Sequence, residues 1–439
     1  MTTIEDNRKR PNLTSISSTS SEIWQDEVGR PIVTRNDRGR FICPWENVEL
    51  PSVKTIFSKV NDRVRNSTAL KPEDEIEKKK FLPSVDLSSK LRAKWEDCDD
   101  SINIRWLGHA TCLVRLPGGF TILTDPVFSK HCGPYQMGMP RYVAAASKVE
   151  DLPPVDAVLI SNDHYDHLDL NSLKEFHKRD LLTDRGRYFI PLGTKTFLLK
   201  EIRGLKAEKL IEMEWWQHEE LFSRDRTLDD GMHGGMSTEK KKLVVTCAPV
   251  QNWCGRGPRD KNERLWCSWA VRVSSFTNED TTVGNFFFAG NTGMPRDFPL
   301  FKIIGLELGP FDLSAIPIGT HAPEEVMSSY NCSTEEAVNM HIQLKSRFSC
   351  GILWGTWALA NERYYEPVFR MKSCLERRML SICRDFFVLK HGDIGCIPLH
   401  DESAQISSKI SGRFSSNEIT TLHPIFAYPQ GNIESVIQK

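Results

Sequence analysis

The stretch 155-VDAVLISNDHYDHLD-169 decides how this chain is read. Its first half, Val155 to Ser161, is an apolar run of strand character, and its second half is dense in imidazole and carboxylate. A loop at the C-terminal end of such a strand is where α/β folds place ligands. His164, Asp166 and His167 fall within four residues. A tight loop can bring them to one metal ion of the zinc type, which takes ring nitrogen and carboxylate oxygen. The pattern is one histidine short of H-x-H-x-D-H, because Asn162 stands at the first position. Histidines in such a loop can equally be capped loop residues that hold no ion.

Outward from the loop, short β-rich runs recur at 102–116, 120–125, 155–161, 243–250, 265–273, 285–290, 312–318 and 350–355. Helical patterns lie at 170–179, 334–347 and 367–380. Ser333 or Thr334 is placed to cap the second of these helices, with Glu335 or Glu336 in its first turn. Strands first, then strand–helix alternation, predict an α/β protein with stacked sheets flanked by helices.

The chain has 439 residues, 39% of them hydrophobic, enough for a large core. Its 57 basic and 58 acidic residues leave a net charge of −1, which gives no basic bias toward nucleic acid. The first residues lack the apolar stretch of a secretory signal, and no run of about 18 apolar residues occurs. Twelve scattered cysteines form no C-x-x-C pair and read as cytosolic thiols. The expected organisation is a disordered tail at 1–22, an N-terminal arm at 23–100 packed on the core, a main domain at 101–400 and a C-terminal extension at 401–439. His233, in the polar insert 221–242, reads as a solvated loop residue.

A set of longer motifs makes the reading specific. Besides the loop, they are 105-RWLGHAT-111, 123-LTDPVF-128, 252-NWC-254, 286-FFFAGNTG-293, 309-GPFDLSAIPIG-319 and 354-WGTWALANE-362. Together they resemble the N-acylphosphatidylethanolamine-hydrolysing phospholipase D family, a branch of the metallo-β-lactamase superfamily, from about Phe41 to Gly392. The resemblance implies a four-layer αβ/βα sandwich of α/β class. It also implies two zinc ions between the sheets, which activate water against the phosphodiester of an N-acylated phospholipid.

Carried over residue by residue, the resemblance keeps His164, Asp166 and His167 as ligand positions. Asn162, Asn252, Asn291 and Leu353 stand where the family has histidine, histidine, aspartate and histidine. Four of seven ligands are therefore replaced, three by neutral amides and one by an aliphatic group. Amide oxygen is a poor zinc ligand and leucine is none, so zinc is expected to be weakly held or absent. His109 and His341 are positions where the family also has histidine, and His321 is the one newcomer available for rescue. Tyr165 and His341 are the substrate-contact positions of this reading.

The resulting expectation is an inactive or impaired family member that keeps binding to N-acylated phospholipid or a regulatory role. It would be cytoplasmic, peripheral at most on internal membranes, without nucleic acid, and paired with itself or with an active relative. The segment 53-VKTIFSKVNDRVR-65 is a weak candidate for the membrane surface. The competing expectation is an active zinc-dependent phospholipase D with a rebuilt site of His164, Asp166 and His167.

Overall fold

A computed structural model describes residues 25–45, 100–134, 137–223, 241–275, 281–360, 362–380 and 385–399. The tail 1–22, the segment 53–65, His233 and the extension 401–439 lie outside the described residues.

Two mixed seven-stranded sheets form the centre. The first contains β3 (Ser101–Gly108), β4 (Thr111–Leu116), β5 (Phe120–Thr124), β8 (Val155–Leu159), β9 (Leu182–Pro191), β10 (Leu210–Met213) and β18 (Ile394–Pro398). Its order is β10-β9-β8-β5-β4-β3-β18, parallel from β10 to β5 and antiparallel beyond. The second contains β11 (His218–Phe222), β12 (Lys241–Ala248), β13 (Ser268–Ser275), β14 (Thr282–Phe288), β15 (Phe311–Pro317), β16 (Ser346–Ile352) and β17 (Phe386–Phe387), in that order. Two small strand pairs are added, β1 (Thr34–Arg35) with β2 (Phe41–Ile42) and β6 (His131–Cys132) with β7 (Met139–Pro140). The described helices are α1 (Leu170–Lys178), α2 (Lys195–Glu201), α3 (Leu300–Glu307), α4 (Glu324–Met327), α5 (Thr334–Gln343) and α6 (Glu366–Arg377).

The apolar run at 155–159 is unbroken because both faces of its strand are covered. Ala157 and Leu159 join the core that includes Trp269 and Phe286 of the opposite sheet. Val155 and Val158 join Leu173 and Phe176 of α1 and Leu198 of α2 in a second core. Helices α3, α5 and α6 contribute Ile304, Val338 and Met371 to the larger core. Each large apolar side chain buried this way contributes about 1.5–3 kcal/mol. The result is the expected sandwich of two sheets carrying helices.

At two of the boundaries that differ from the sequence expectation, the reason is local. The run 102–116 is a hairpin, broken where Gly108 (φ 116°) and His109 (φ 53°) take left-handed backbone. The helix expected to reach 347 ends at Gln343, because Lys345 (φ 54°) turns the chain into β16. Its start is a capping box: Ser333 N–H donates to Glu336 Oε2 (2.7 Å) and Glu336 N–H to Ser333 Oγ (3.3 Å). The described part of the arm lies against the core. Trp45 stacks on Trp215 and Phe298, and its Nε1–H donates to Gln251 Oε1 at 3.1 Å. Among the described residues, no helix is long and apolar enough to cross a membrane.

Candidate metal centre

The loop between β8 and α1 begins at Ile160 and ends at Asp169, whose side chain accepts from Asn171 N–H at 3.1 Å and caps the helix. Asp163, at the start of D-H-Y-D-H, serves as an anchor. It is fully buried, accepts from Arg264 Nε–H at 2.5 Å and from Gly255 N–H at 2.7 Å. Arg256 holds the other side of the loop through the carbonyls of Asp163 (2.7 Å) and Leu168 (2.8 Å).

The stretches that carry the seven positions expected as ligands lie next to one another. Trp253, next to Asn252, packs on the His164 ring at 4.4 Å. Gly290, next to Asn291, approaches Ser161 so closely that an added Cβ would lie 2.6 Å from the Ser161 Cβ. Leu353 N–H donates to the His109 carbonyl at 3.1 Å. The substituted side chains serve local ends. Asn162 Oδ1 accepts from His164 N–H at 2.9 Å, a short turn within the loop. Asn252 donates to the Asn291 carbonyl at 2.6 Å and accepts from Trp253 N–H at 2.8 Å. Leu353 is part of the apolar core and 2% exposed.

A three-residue cluster forms that the sequence reading did not assemble. His109 Nε2 lies 2.9 Å from Asp166 Oδ2, and His167 Nε2 lies 3.4 Å from the same oxygen. His109, Asp166 and His167 present ligand atoms within 4.8 Å of one another. The Nδ1 of His167 is 2.6 Å from Asp125 Oδ2, and Asp125 also accepts from Ser161 N–H (2.7 Å) and Ser161 Oγ–H (2.6 Å). Burial lowers the basicity of His167, but Asp166 and Asp125 more than reverse it and raise the pKa to about 10. Burial pushes the Asp166 carboxyl up, yet the His167 and His109 rings hold it well below the carboxylate range. His109 and His164 are shifted down, in each case chiefly by burial.

His164, expected as a metal ligand beside Asp166 and His167, is outside this cluster; its buried Nε2 has no hydrogen-bond partner among the described residues. Tyr165 is half-buried at the loop's edge, its hydroxyl donating to the Arg256 carbonyl at 2.9 Å under the Arg256 guanidinium. His341 is not brought to the loop: its Nδ1 meets Ser349 Oγ at 2.8 Å and its ring packs on Phe386. His321 is buried, and among the described residues neither ring nitrogen makes a hydrogen bond; its Nδ1 lies 4.0 Å from Glu362 Oε1. Asp125 and Ser161 escaped the sequence reading. The signal available for Asp125 was its place directly after β5, in 123-LTDPVF-128.

Two sheets with a polar loop at the end of a central strand are the frame of the metallo-β-lactamase fold. Residues 121–352 match the family model for the Beta-lactamase superfamily domain. The chain belongs to the N-acylphosphatidylethanolamine-hydrolysing phospholipase D family of that superfamily. It is 36% identical to N-acyl-phosphatidylethanolamine-hydrolyzing phospholipase D 1 of Caenorhabditis elegans, over 83% of this chain and 94% of that protein. The mitochondrial phospholipase D of that name from Saccharomyces cerevisiae is 28% identical over 62% of this chain and 51% of its own length. Among solved structures, a metallo hydrolase from Ignicoccus hospitalis aligns at a TM-score of 0.44 with 16% identity, covering 68% of this chain and 100% of its own.

The family's pair of ions can be tested against these residues. The place that would take the first ion offers His164 and two amides already engaged in the loops. That set does not fit a zinc ion, which requires imidazole, thiolate or carboxylate around it. The place of the second ion retains Asp166 and His167, with His167 oriented by Asp125.

Proposed function

We propose that this chain is a phospholipid-binding member of its family in which hydrolysis is lost or strongly impaired. The observation that carries the reading is the side-chain chemistry at the substituted positions. Asn162, Asn252 and Leu353 are committed to turn, loop and core contacts, and none offers imidazole or carboxylate. A two-ion mechanism needs both ions to hold the attacking and leaving oxygens, so no hydrolytic step is assigned to this site.

What supports retained lipid binding is the extent of the likeness. The match covers 94% of a relative whose name states action on N-acyl-phosphatidylethanolamine. The sandwich is complete and the loop is pinned by Arg256 and Arg264. Tyr165 and Arg256, at the loop's edge, are the groups assigned to the lipid headgroup. The chain would meet this lipid as a peripheral protein at a membrane surface, paired with itself or with an active relative.

The test uses the full-length chain and vesicles with and without N-acylphosphatidylethanolamine. The chain is expected to float with the former, while phosphatidic acid release stays at the level of buffer, with or without added zinc. Zinc-dependent release of phosphatidic acid would refute the loss of hydrolysis. Equal flotation with both vesicle types would refute recognition of the lipid.

A further inference from the structure

We propose that His109, Asp166 and His167 form a mononuclear site for one divalent cation of the zinc type, in which His109 replaces the ligands lost elsewhere. The site stands whether or not the chain binds lipid.

Three observations converge on it. The first is geometric. Asp166 Oδ2 lies 2.9 Å from His109 Nε2 and 3.4 Å from His167 Nε2, and the three ligand atoms fall within 4.8 Å of one another. Donors bound to one ion at about 2.1 Å stand at most about 4.2 Å apart, so small side-chain adjustments bring them together. Two imidazoles and one carboxylate suit zinc and its neighbours in the first transition row.

The second is the support behind His167. Its Nδ1 is held by Asp125 at 2.6 Å, and Asp125 is fixed by the backbone and hydroxyl of Ser161. A carboxylate behind a ligating histidine orients the ring and aims its other nitrogen at the ion. That other nitrogen, Nε2, is buried and makes no well-formed hydrogen bond. Asp166 at the ion and Asp125 behind the ring also place two carboxylates against a divalent charge in a buried setting.

The third is the backbone of His109. The residue is left-handed (φ 53°), directly after a left-handed Gly108. It is held there by its N–H to Thr356 Oγ1 (2.7 Å), and its carbonyl accepts from Trp106 Nε1–H (2.8 Å) and Leu353 N–H (3.1 Å). Strain in a non-glycine residue, fixed by several surrounding contacts, is typical of a side chain placed for use. Here the strained backbone delivers an imidazole to Asp166. With three protein ligands the ion keeps an open position, the arrangement of a site that accepts an outside oxygen.

The experiment is a titration of chelator-stripped, full-length chain with Co2+ and Zn2+. Stoichiometry is read by elemental analysis and ligand geometry by the visible ligand-field bands of Co2+. One ion per chain is expected. His109→Asn, which tolerates the left-handed backbone, should weaken binding roughly 10-fold or more, as should Asp125→Asn. His164→Gln should bind as the parent does. Failure of the parent to bind an ion overturns the proposal. So does parent-like affinity in a folded His109→Asn, which circular dichroism verifies. If His109→Asn does not fold, His164→Gln decides: unchanged binding supports the site, and lost binding assigns the ion to the loop residues alone.

Discussion

Leu353 carries an apolar side chain on a backbone that suits a polar one. Its φ of 60° lies in the left-handed region, which His, Asn and Asp enter more readily than Leu. Yet the side chain is 2% exposed and belongs to the core. Leu353→His alone is expected to destabilise the fold by about 1–3 kcal/mol, because an imidazole replaces buried hydrocarbon. It should add no second ion, since Asn162 and Asn252 leave the first-ion place without its imidazoles. Combined with Asn162→His, Asn252→His and Asn291→Asp, it should allow one ion per chain more than the parent binds, counted by elemental analysis. A folded quadruple variant with parental metal content would mean that the scaffold has drifted beyond its ligands. The four positions expected to be substituted ligands could be singled out in the sequence because each sits inside a short motif. The part played by His109 was not, because L-G-H-A carries no sign of which way a strained turn aims its ring.

Among the elements, the β8–α1 loop depends on a neighbour distant in sequence. Asp163 is fully buried and Arg264 is 8% exposed, so their ion pair is shielded from water. Arg264→Ala leaves the carboxylate buried without its partner, and the expected loss is about 3–5 kcal/mol in urea unfolding. A loss below about 1 kcal/mol would show that Gly255 and Arg256 hold the loop by themselves. Regular elements were the more readable part. Helix α5 announced its start through Ser333 and Glu336, which act on residues three apart. Strand β9 escaped notice because Arg185, Gly186 and Arg187 break the apolar pattern inside it. The hairpin β3–β4 read as one strand because the only interruption, Gly108–His109, is two residues long.

Across the whole molecule, buried neutral histidines set an acid limit. Burial pushes His341 down to about 4, with Asp385 opposing, and pushes His391 down to about 3. The folded state keeps both rings neutral where the unfolded chain, near 6.5, takes up protons. Their contribution is therefore present above about pH 6.5 and is lost as pH falls from there toward about 4. At pH 5 each ring accounts for roughly 2 kcal/mol of lost stability. His341→Gln should reduce the parent's decline between pH 7 and pH 5 by about that amount, measured by denaturant unfolding at both values. An unchanged decline would mean that the His341 ring is already protonated in the folded state. In the metal-free chain His167 runs the other way: with its pKa raised to about 10, its contribution is complete below about 6.5 and fades as pH rises through 10.

The sequence by itself determined the sandwich and the family, and it carries the expectation that four ligand positions are replaced. Those properties are written in patterns a few residues long: strand alternation, a polar loop after an apolar run, a cap three residues from its partner. Only the tertiary structure decided which side chains still meet. His109 and Asp166 are 57 residues apart and become partners because β3, β4, β5 and β8 lie side by side in one sheet. Asp125 reaches His167 for the same reason, from the end of the strand next to β8. Hydrogen bonds and metal ligation act over about 3 Å, and that distance is set by sheet order and by turns such as the one at His109, not by spacing along the chain.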